Sequence, residues 1–311
     1  MNFLNLIRYK NLIMVILTML LVKYALLSLS DKETSFTLFF FIVSCFSILC
    51  LTAAGYIVND MIDLKADLIN KPHKIFIGKG IHKNFSWRMY AVLNVLGLGS
   101  CFYVLKTLSF TYDYFAIYAG TIFFLYLYSK YLKRLLFLGN MVIAFFCSGI
   151  VLVTFSLDME GQSQMGFIWK AFENSFDKIG IFMIVFYYAV FSFISTLIRE
   201  IIKDIEDVNG DYQMKMYTLP IALGRKRTRN IVIALSLLLL LLLILVLIGL
   251  TKNPQFLFLN LYLLLFVLVP TLYFTFVLWT AKTKSQFHFL STLMKIIMLL
   301  GIFSMLLFIF V

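Results

Sequence analysis

Nine apolar runs of about 17–25 residues recur along this chain, the length an α-helix needs to cross the hydrocarbon core of a bilayer. They lie near 12–29, 37–58, 87–105, 112–128, 138–157, 179–200, 230–250, 255–279 and 288–310. Of the 311 residues 62% are hydrophobic and only 14% charged, with a mean hydropathy of +0.96, well outside the range of a water-soluble domain. The chain therefore reads as an all-α, multi-pass integral membrane protein. Arg8 and Lys10 precede the first run as they would in a signal peptide, but no small-residue cleavage site follows and the next span comes directly, so that helix is expected to be retained.

Basic residues orient the bundle. The N-terminus and the connections after the second, fourth, sixth and eighth runs hold 20 of the 27 lysines and arginines, and the side richer in them faces the cytoplasm. This places the N-terminus inside. The opposite side carries Lys23, Lys32, Lys106, Lys170, Lys178 and Lys252, while Lys295 falls within the last run. The net charge of +12 needs no nucleic acid to explain it, since basic cytoplasmic loops set topology and hold anionic lipid headgroups. Cys45, Cys50, Cys101 and Cys147 lie in spans without metal-ligand spacing, and His73, His82 and His288 form no constellation with them, which argues against a zinc or haem site.

No Pro/Gly/Ser linker divides the sequence, so one domain over 1–311 is expected. The longest polar connections are 59–86, 158–178 and 201–229. The acids and lysines of 158–178, Asp158 among them, read as a solvated outer face. Two of the connections open on matched acidic clusters: Asn59-Asp60-x-x-Asp63-x-x-x-Asp67, and Asp204-x-x-Asp207-x-x-x-Asp211 with Glu206 inside it. Four spans separate them, hinting at two four-helix halves plus a ninth helix.

Offsets of 0, 3 and 7 put side chains within about 60° of one another on a helix. Each cluster would thus line one helix face, and both fall on the cytoplasmic side. Carboxylates at bilayer depth are costly unless paired, hydrated or metal-bound, and hard oxygen ligands in two groups suit Mg²⁺, which completes its shell with water and phosphate oxygens. Asn59, Asp60, Asp63, Asp67, Asp204, Asp207 and Asp211 are the candidate ligands, with Asp60, Asp63, Asp204 and Asp207 central to catalysis. A diphosphate is the substrate group such a site fits. Lys71 and Lys74 after the first cluster, Lys133 and Arg134 after the fourth run, and Arg199 and Lys203 before the second cluster are the candidate diphosphate-binding cations. The competing explanation, ordinary helix-end charges paired with lysines, does not account for matched spacing on one membrane face. A cation-coupled transporter is the alternative from another class, although transporters place such acids near the midplane on interrupted helices.

These residues resemble the UbiA-type superfamily of intramembrane prenyltransferases. The resemblance rests on the spans, both Asp motifs, Tyr128 and the basic stretch to Arg134 followed by Gly139-Asn140, and Thr218-Leu219-Pro220 with Gly224. It implies a helical bundle around a central cavity, Mg²⁺ dependence, and transfer of a polyprenyl group from its diphosphate to a lipophilic acceptor, with aromatic rings, Tyr128 among them, steadying an allylic cation. Leu68-Ile69-Asn70-Lys71-Pro72 and the Arg199-Glu200 to Asp207 run are most similar to the branch that geranylgeranylates geranylgeranylglyceryl phosphate. An aromatic acceptor of the 4-hydroxybenzoate or homogentisate type stays open. The chain departs from the usual R-P-x-P-S-G continuation, reading Lys74-Ile75-Phe76-Ile77-Gly78-Lys79, and lysine lacks arginine's bidentate fork.

Overall fold

The computed structural model describes residues 2–27, 34–70, 77, 81–163 and 176–310, and all regular structure among them is helical. A short helix α1 (Asn2–Leu6) precedes α2 (Tyr9–Leu26), α3 (Leu38–Ile62), α4 (Leu64–Asn70), α5 (Lys83–Leu108) and α6 (Asp113–Lys130). The second part holds α7 (Leu138–Ser163), α8 (Phe176–Gln213), a one-turn α9 (Leu219–Leu223), α10 (Arg225–Leu250), α11 (Pro254–Thr280) and α12 (Lys284–Phe310).

Eight of these helices are long and apolar enough to cross a membrane. The expected span at 112–128 does form a helix, α6, but Tyr114, Tyr118, Tyr126, Tyr128 and its terminal Asp113 and Lys130 keep its hydropathy below that of the other eight.

Three cores hold the described residues together. One joins α3, α5 and α6 with the first part of α2, a second joins α7, α8, α10, α11 and α12 with the end of α2, and a smaller third, of Leu6, Ile57, Val58, Met61 and Ile77, lies at the end of α3 that carries the first cluster. Between membrane helices the gain comes from close packing rather than from water exclusion, so small residues mark the tightest seams. Gly97 of α5 is one: a Cβ there would stand 2.6 Å from Leu51 Cδ2 and 3.2 Å from the Ser47 carbonyl oxygen, and Ser47 Oγ donates to the Gly97 carbonyl at 2.5 Å. α3 and α5 can lie this close only because position 97 has no side chain.

Helix α8 shows how sequence separates core from site. Ile198, Ile201, Ile202 and Ile205, spaced i, i+3, i+4 and i+7, are all at most 1% exposed, while Glu200, Lys203, Asp204 and Asp207 occupy other faces. The sequence places the span near 179–200, but α8 runs unbroken through Asn209-Gly210 to Gln213, so the whole second cluster is helical. The first cluster instead straddles a joint: α3 ends at Ile62, Asp63 caps it by donating its N–H to the Asn59 carbonyl, and α4 starts at once with Asp67 N–H on the Asp63 carbonyl. α4 packs against α8, which brings the two clusters to the same end of the bundle.

The outer connection differs from expectation at Asp158. It is 3% exposed and pairs with Lys23, which also donates to the Phe36 carbonyl at 2.7 Å and lies over the Phe36 ring. Lys23 sits on a wide helical turn, Val22–Leu26, that turns its side chain into the bundle. A buried lysine needs a carboxylate, so the solvated reading is wrong for Asp158; Lys170 and Glu173 lie outside the described residues, as do the side chains of Glu160, Asp177 and Lys178.

Candidate active site

The acids of the first cluster already hold cations. Arg8 Nη2 donates to Asp60 Oδ1 at 2.7 Å, and Lys133 Nζ pairs with Asp63. Arg8 adopts a left-handed backbone, φ 53° and ψ 52°, unusual for a side chain of this size, and its guanidinium also lies over the Tyr56 ring, 4.8 Å from the centroid. Burial works against the charge on both cations, but Asp60 and Asp63 outweigh it and hold the pKa of Arg8 and Lys133 above the ordinary values. Both cations therefore stay charged across the neutral range.

Lys133 is set by glycine. Leu132–Arg134 form a single tight turn, and a Cβ on Gly139 would meet the Lys133 Cα at 2.9 Å and the Leu132 carbonyl oxygen at 3.0 Å. Only glycine lets the start of α7 close onto that turn. The next residue, Asn140, donates Nδ2 to Asp204 Oδ2 at 2.8 Å, so two adjacent residues of α7 serve the two clusters in turn.

The second cluster divides by helix face, as its spacing requires. Asp204 and Asp207 are half-buried and Asp211 buried. Glu206 lies 100° around the helix from Asp207, and it accepts instead from His288 Nδ1 of α12 at 3.0 Å. Arg199 and Lys203 both reach Glu200, at 3.0 and 2.5 Å, an acid that the spacing argument leaves unassigned.

Lys133 and Tyr128 stand where the clusters meet. Asp63, Asp67 and Asp204 are electrostatic neighbours of Lys133, and Asp63, Asp204 and Glu200 of Tyr128. Arg134 is exposed, its carbonyl accepting from the Tyr217 N–H, while Lys71 and Lys74 lie outside the described residues. Thr218 precedes the one-turn α9, and Gly224, at φ +81°, turns the chain into α10, a conformation that favours glycine.

Among the described residues no three acids, histidines or cysteines come together as a ready metal cage. Mg²⁺ does not need one, because it takes one or two carboxylates and keeps the rest of its shell for water and phosphate. The donors fit that use: all are hard oxygens, and the Asn59 Oδ1 at the head of the first cluster is buried with no hydrogen-bond partner. A buried acceptor left unpaired is costly, and a bound cation would satisfy it. A hollow at the start of α5, lined by His82, Lys83, Asn84, Phe85 and Arg88, contains none of these groups.

Sequence reasoning missed Arg8, Asn140 and Glu200 as site residues. Asn140 had a local signal, its place after Gly139 in the resemblance. Arg8 had none, since an N-terminal arginine reads as a topology marker.

The sequence model of the UbiA prenyltransferase family matches residues 12–308. Among curated relatives, a digeranylgeranylglyceryl phosphate synthase of Pyrococcus abyssi is 30% identical over 181 residues, covering 58% of this chain and 55% of the relative. One of Methanobrevibacter smithii is 27% identical over 228 residues, covering 72% and 70%. The match thus spans about half the length of the first of these and more of the second. In structure, the chain is similar to one solved in work on digeranylgeranylglyceryl phosphate synthase in membranes (TM-score 0.62, 24% identity, 98% of each chain). It is also similar to a UbiA homologue from Archaeoglobus fulgidus bound to DMAPP and Mg²⁺ (TM-score 0.58, 15% identity, 98% and 99%). At these identities the structural likeness speaks for the fold.

Proposed function

The chain belongs to the UbiA prenyltransferase family, and from that premise we propose that it transfers a polyprenyl group, geranylgeranyl in the first instance, from its diphosphate to geranylgeranylglyceryl phosphate in ether-lipid synthesis. The observation that carries the reading is the meeting of both acidic clusters at Lys133 and Tyr128. Relatives named for digeranylgeranylglyceryl phosphate synthesis support the acceptor, and a family fold bound to DMAPP and Mg²⁺ supports the donor and the metal.

Asn59, Asp60, Asp63, Asp67, Asp204, Asp207 and Asp211 would hold Mg²⁺, which when bound supplies Lewis-acid charge that stabilises the departing diphosphate. Lys133, Arg199 and Lys203 bind diphosphate oxygens as charged donors. Arg8 does the same from the N-terminal side. The bond from the donor's first carbon to oxygen breaks with its electron pair leaving on the diphosphate. The allylic cation that remains is steadied by π faces, that of Tyr128 among them, and the acceptor's glycerol oxygen bonds to that carbon as its hydroxyl proton passes to the released diphosphate.

The reading includes one domain over 1–311, nine crossings with α6 as the fourth, and a site open to the cytoplasm, supported by the bias of basic residues toward the loops beside both clusters. A product assay on purified membranes tests it, with geranylgeranyl diphosphate, Mg²⁺ and either geranylgeranylglyceryl phosphate or 4-hydroxybenzoate. Ether-lipid product supports the reading; product with the aromatic alone replaces the acceptor, and product with neither refutes this donor and both acceptors.

A further inference from the structure

Lys295 lies eleven residues into α12, roughly 16 Å along the helix from Lys284, where an ionisable side chain is costly and therefore points to a role. Its amine donates to Asn11 Oδ1 at 2.6 Å, and Asn11 Nδ2 donates in turn to Tyr56 Oη at 3.2 Å. Asn11 and Tyr56 stand about one helical turn from Arg8 and Asp60 respectively, on the side toward the middle of each helix. The chain Lys295–Asn11–Tyr56 is thus a polar layer just beneath the Arg8–Asp60 pair.

This layer is positive without a matching acid. Among the described residues no carboxylate lies within ion-pair distance of Lys295, and its electrostatic neighbours are two more cations, Arg199 and Lys10. Arg199 shares the single carboxylate Glu200 with Lys203, and its Nε–H is buried with no acceptor. The cations at Asp60 and Asp63 are balanced one for one, but here Arg199 and Lys203 share one Glu200 and Lys295 has only the neutral Asn11. The imbalance calls for an anion, and an orphaned N–H calls for an oxygen.

We propose that Lys295 forms a second anion site beside the diphosphate site, the Arg199 guanidinium serving both, and that it binds the phosphate monoester of the acceptor lipid. This rests on the acceptor reading above. A glycerol-phosphate lipid brings up to two charges of its own beside those of the donor diphosphate, so a site serving both needs cations not already committed to the acidic clusters. Lys295 meets that need one layer deeper. The arrangement also explains selectivity: an acceptor without a phosphate leaves Lys295 with only the neutral Asn11, and binding loses that charge-assisted contact.

The test uses full-length protein in detergent or nanodiscs, as wild type, Lys295→Met and Lys295→Arg, and measures binding of geranylgeranylglyceryl phosphate, of geranylgeranylglycerol lacking the phosphate, and of a non-cleavable prenyl diphosphate. The wild type should prefer the phosphorylated lipid roughly 10- to 100-fold. Lys295→Met should erase that preference, Lys295→Arg should keep most of it, and prenyl diphosphate affinity should be the same in all three. No preference in the wild type, an intact preference in Lys295→Met, or an equal loss of diphosphate binding would each overturn the proposal. Because these are binding measurements, a wild type that prefers the phosphorylated lipid but makes no product from it refutes the acceptor reading while leaving the anion site standing.

Discussion

Replacing Gly139 with alanine should damage the site without touching any group that binds substrate. The added Cβ would stand 2.9 Å from the Lys133 Cα and 3.0 Å from the Leu132 carbonyl oxygen, whereas carbon contacts settle at about 3.5–4.0 Å. Both neighbours are backbone, so no rotamer change relieves the clash and the 132–134 turn must move by roughly 0.5–1 Å. Overpacking of this kind costs about 1–3 kcal/mol. Displacement of Lys133 matters more, because a misplacement of about 1 Å at a reacting centre can cost on the order of 100-fold in rate. A Cβ added to Gly149, on the same helix, would have nothing within 4 Å, and Gly149→Ala should raise stability by up to about 1 kcal/mol through helix propensity. Donor-dependent kcat/KM and the detergent Tm of both variants provide the assay. Gly139→Ala should lose about 10- to 100-fold in kcat/KM while Gly149→Ala stays at the wild-type value. Wild-type turnover in Gly139→Ala, or equal loss in the two, would refute the account of how Lys133 is held.

Three other outcomes are expected. Asp60→Ala and Asp207→Ala should each lower turnover by at least about 100-fold while the protein remains folded by Tm and gel filtration; near-normal rates in both would remove the acids from the chemistry. Asp158→Ala strands the buried Lys23 charge and should cost about 3–5 kcal/mol in detergent unfolding, and the double variant Lys23→Met/Asp158→Leu should recover most of it. If the double variant is no better than the single, the pair is not what holds that end together. Finally, in a cysteine-free background, a single cysteine at Asn253 should label with a membrane-impermeant reagent from outside intact cells and one at Thr283 only after permeabilisation; the reverse pattern would invert the topology.

For the second cluster the spacing of the aspartates is enough to place them along one unbroken helix, because helical geometry over seven residues is local, whereas the first cluster breaks at Asp63 between α3 and α4. The spacing also explains why Glu206 turns away to His288. What the spacing did not reveal depends on partners distant in sequence: Arg8 and Asp60 are 52 residues apart, Lys23 and Asp158 135, and Asn11 and Lys295 284. Basic residues near a membrane are the hardest to read, since the same side chain serves equally as a topology marker, an ion-pair partner or an anion ligand. Asp158 misled for the converse reason: a polar loop suggests water, yet the wide turn at Val22–Leu26 carries Lys23 inward to meet it. The extent of α8 past its apolar stretch followed from the buried isoleucine stripe of 198–205, which continues the helix under a charged opposite face. The tyrosine-rich α6 shows the limit of hydropathy itself, because phenol rings lower the average of a helix that still packs as one of the bundle.

The central claim is that the two acidic clusters form one Mg²⁺-dependent diphosphate site. Its most direct test is the affinity of a non-cleavable prenyl thiodiphosphate for wild type, Asp63→Asn and Asp204→Asn, each with Mg²⁺ and with EDTA. The account predicts tight binding only for wild type with Mg²⁺, and a comparable loss from chelation and from a change in either cluster. Binding that survives EDTA, or that depends on one cluster and ignores the other, would contradict it.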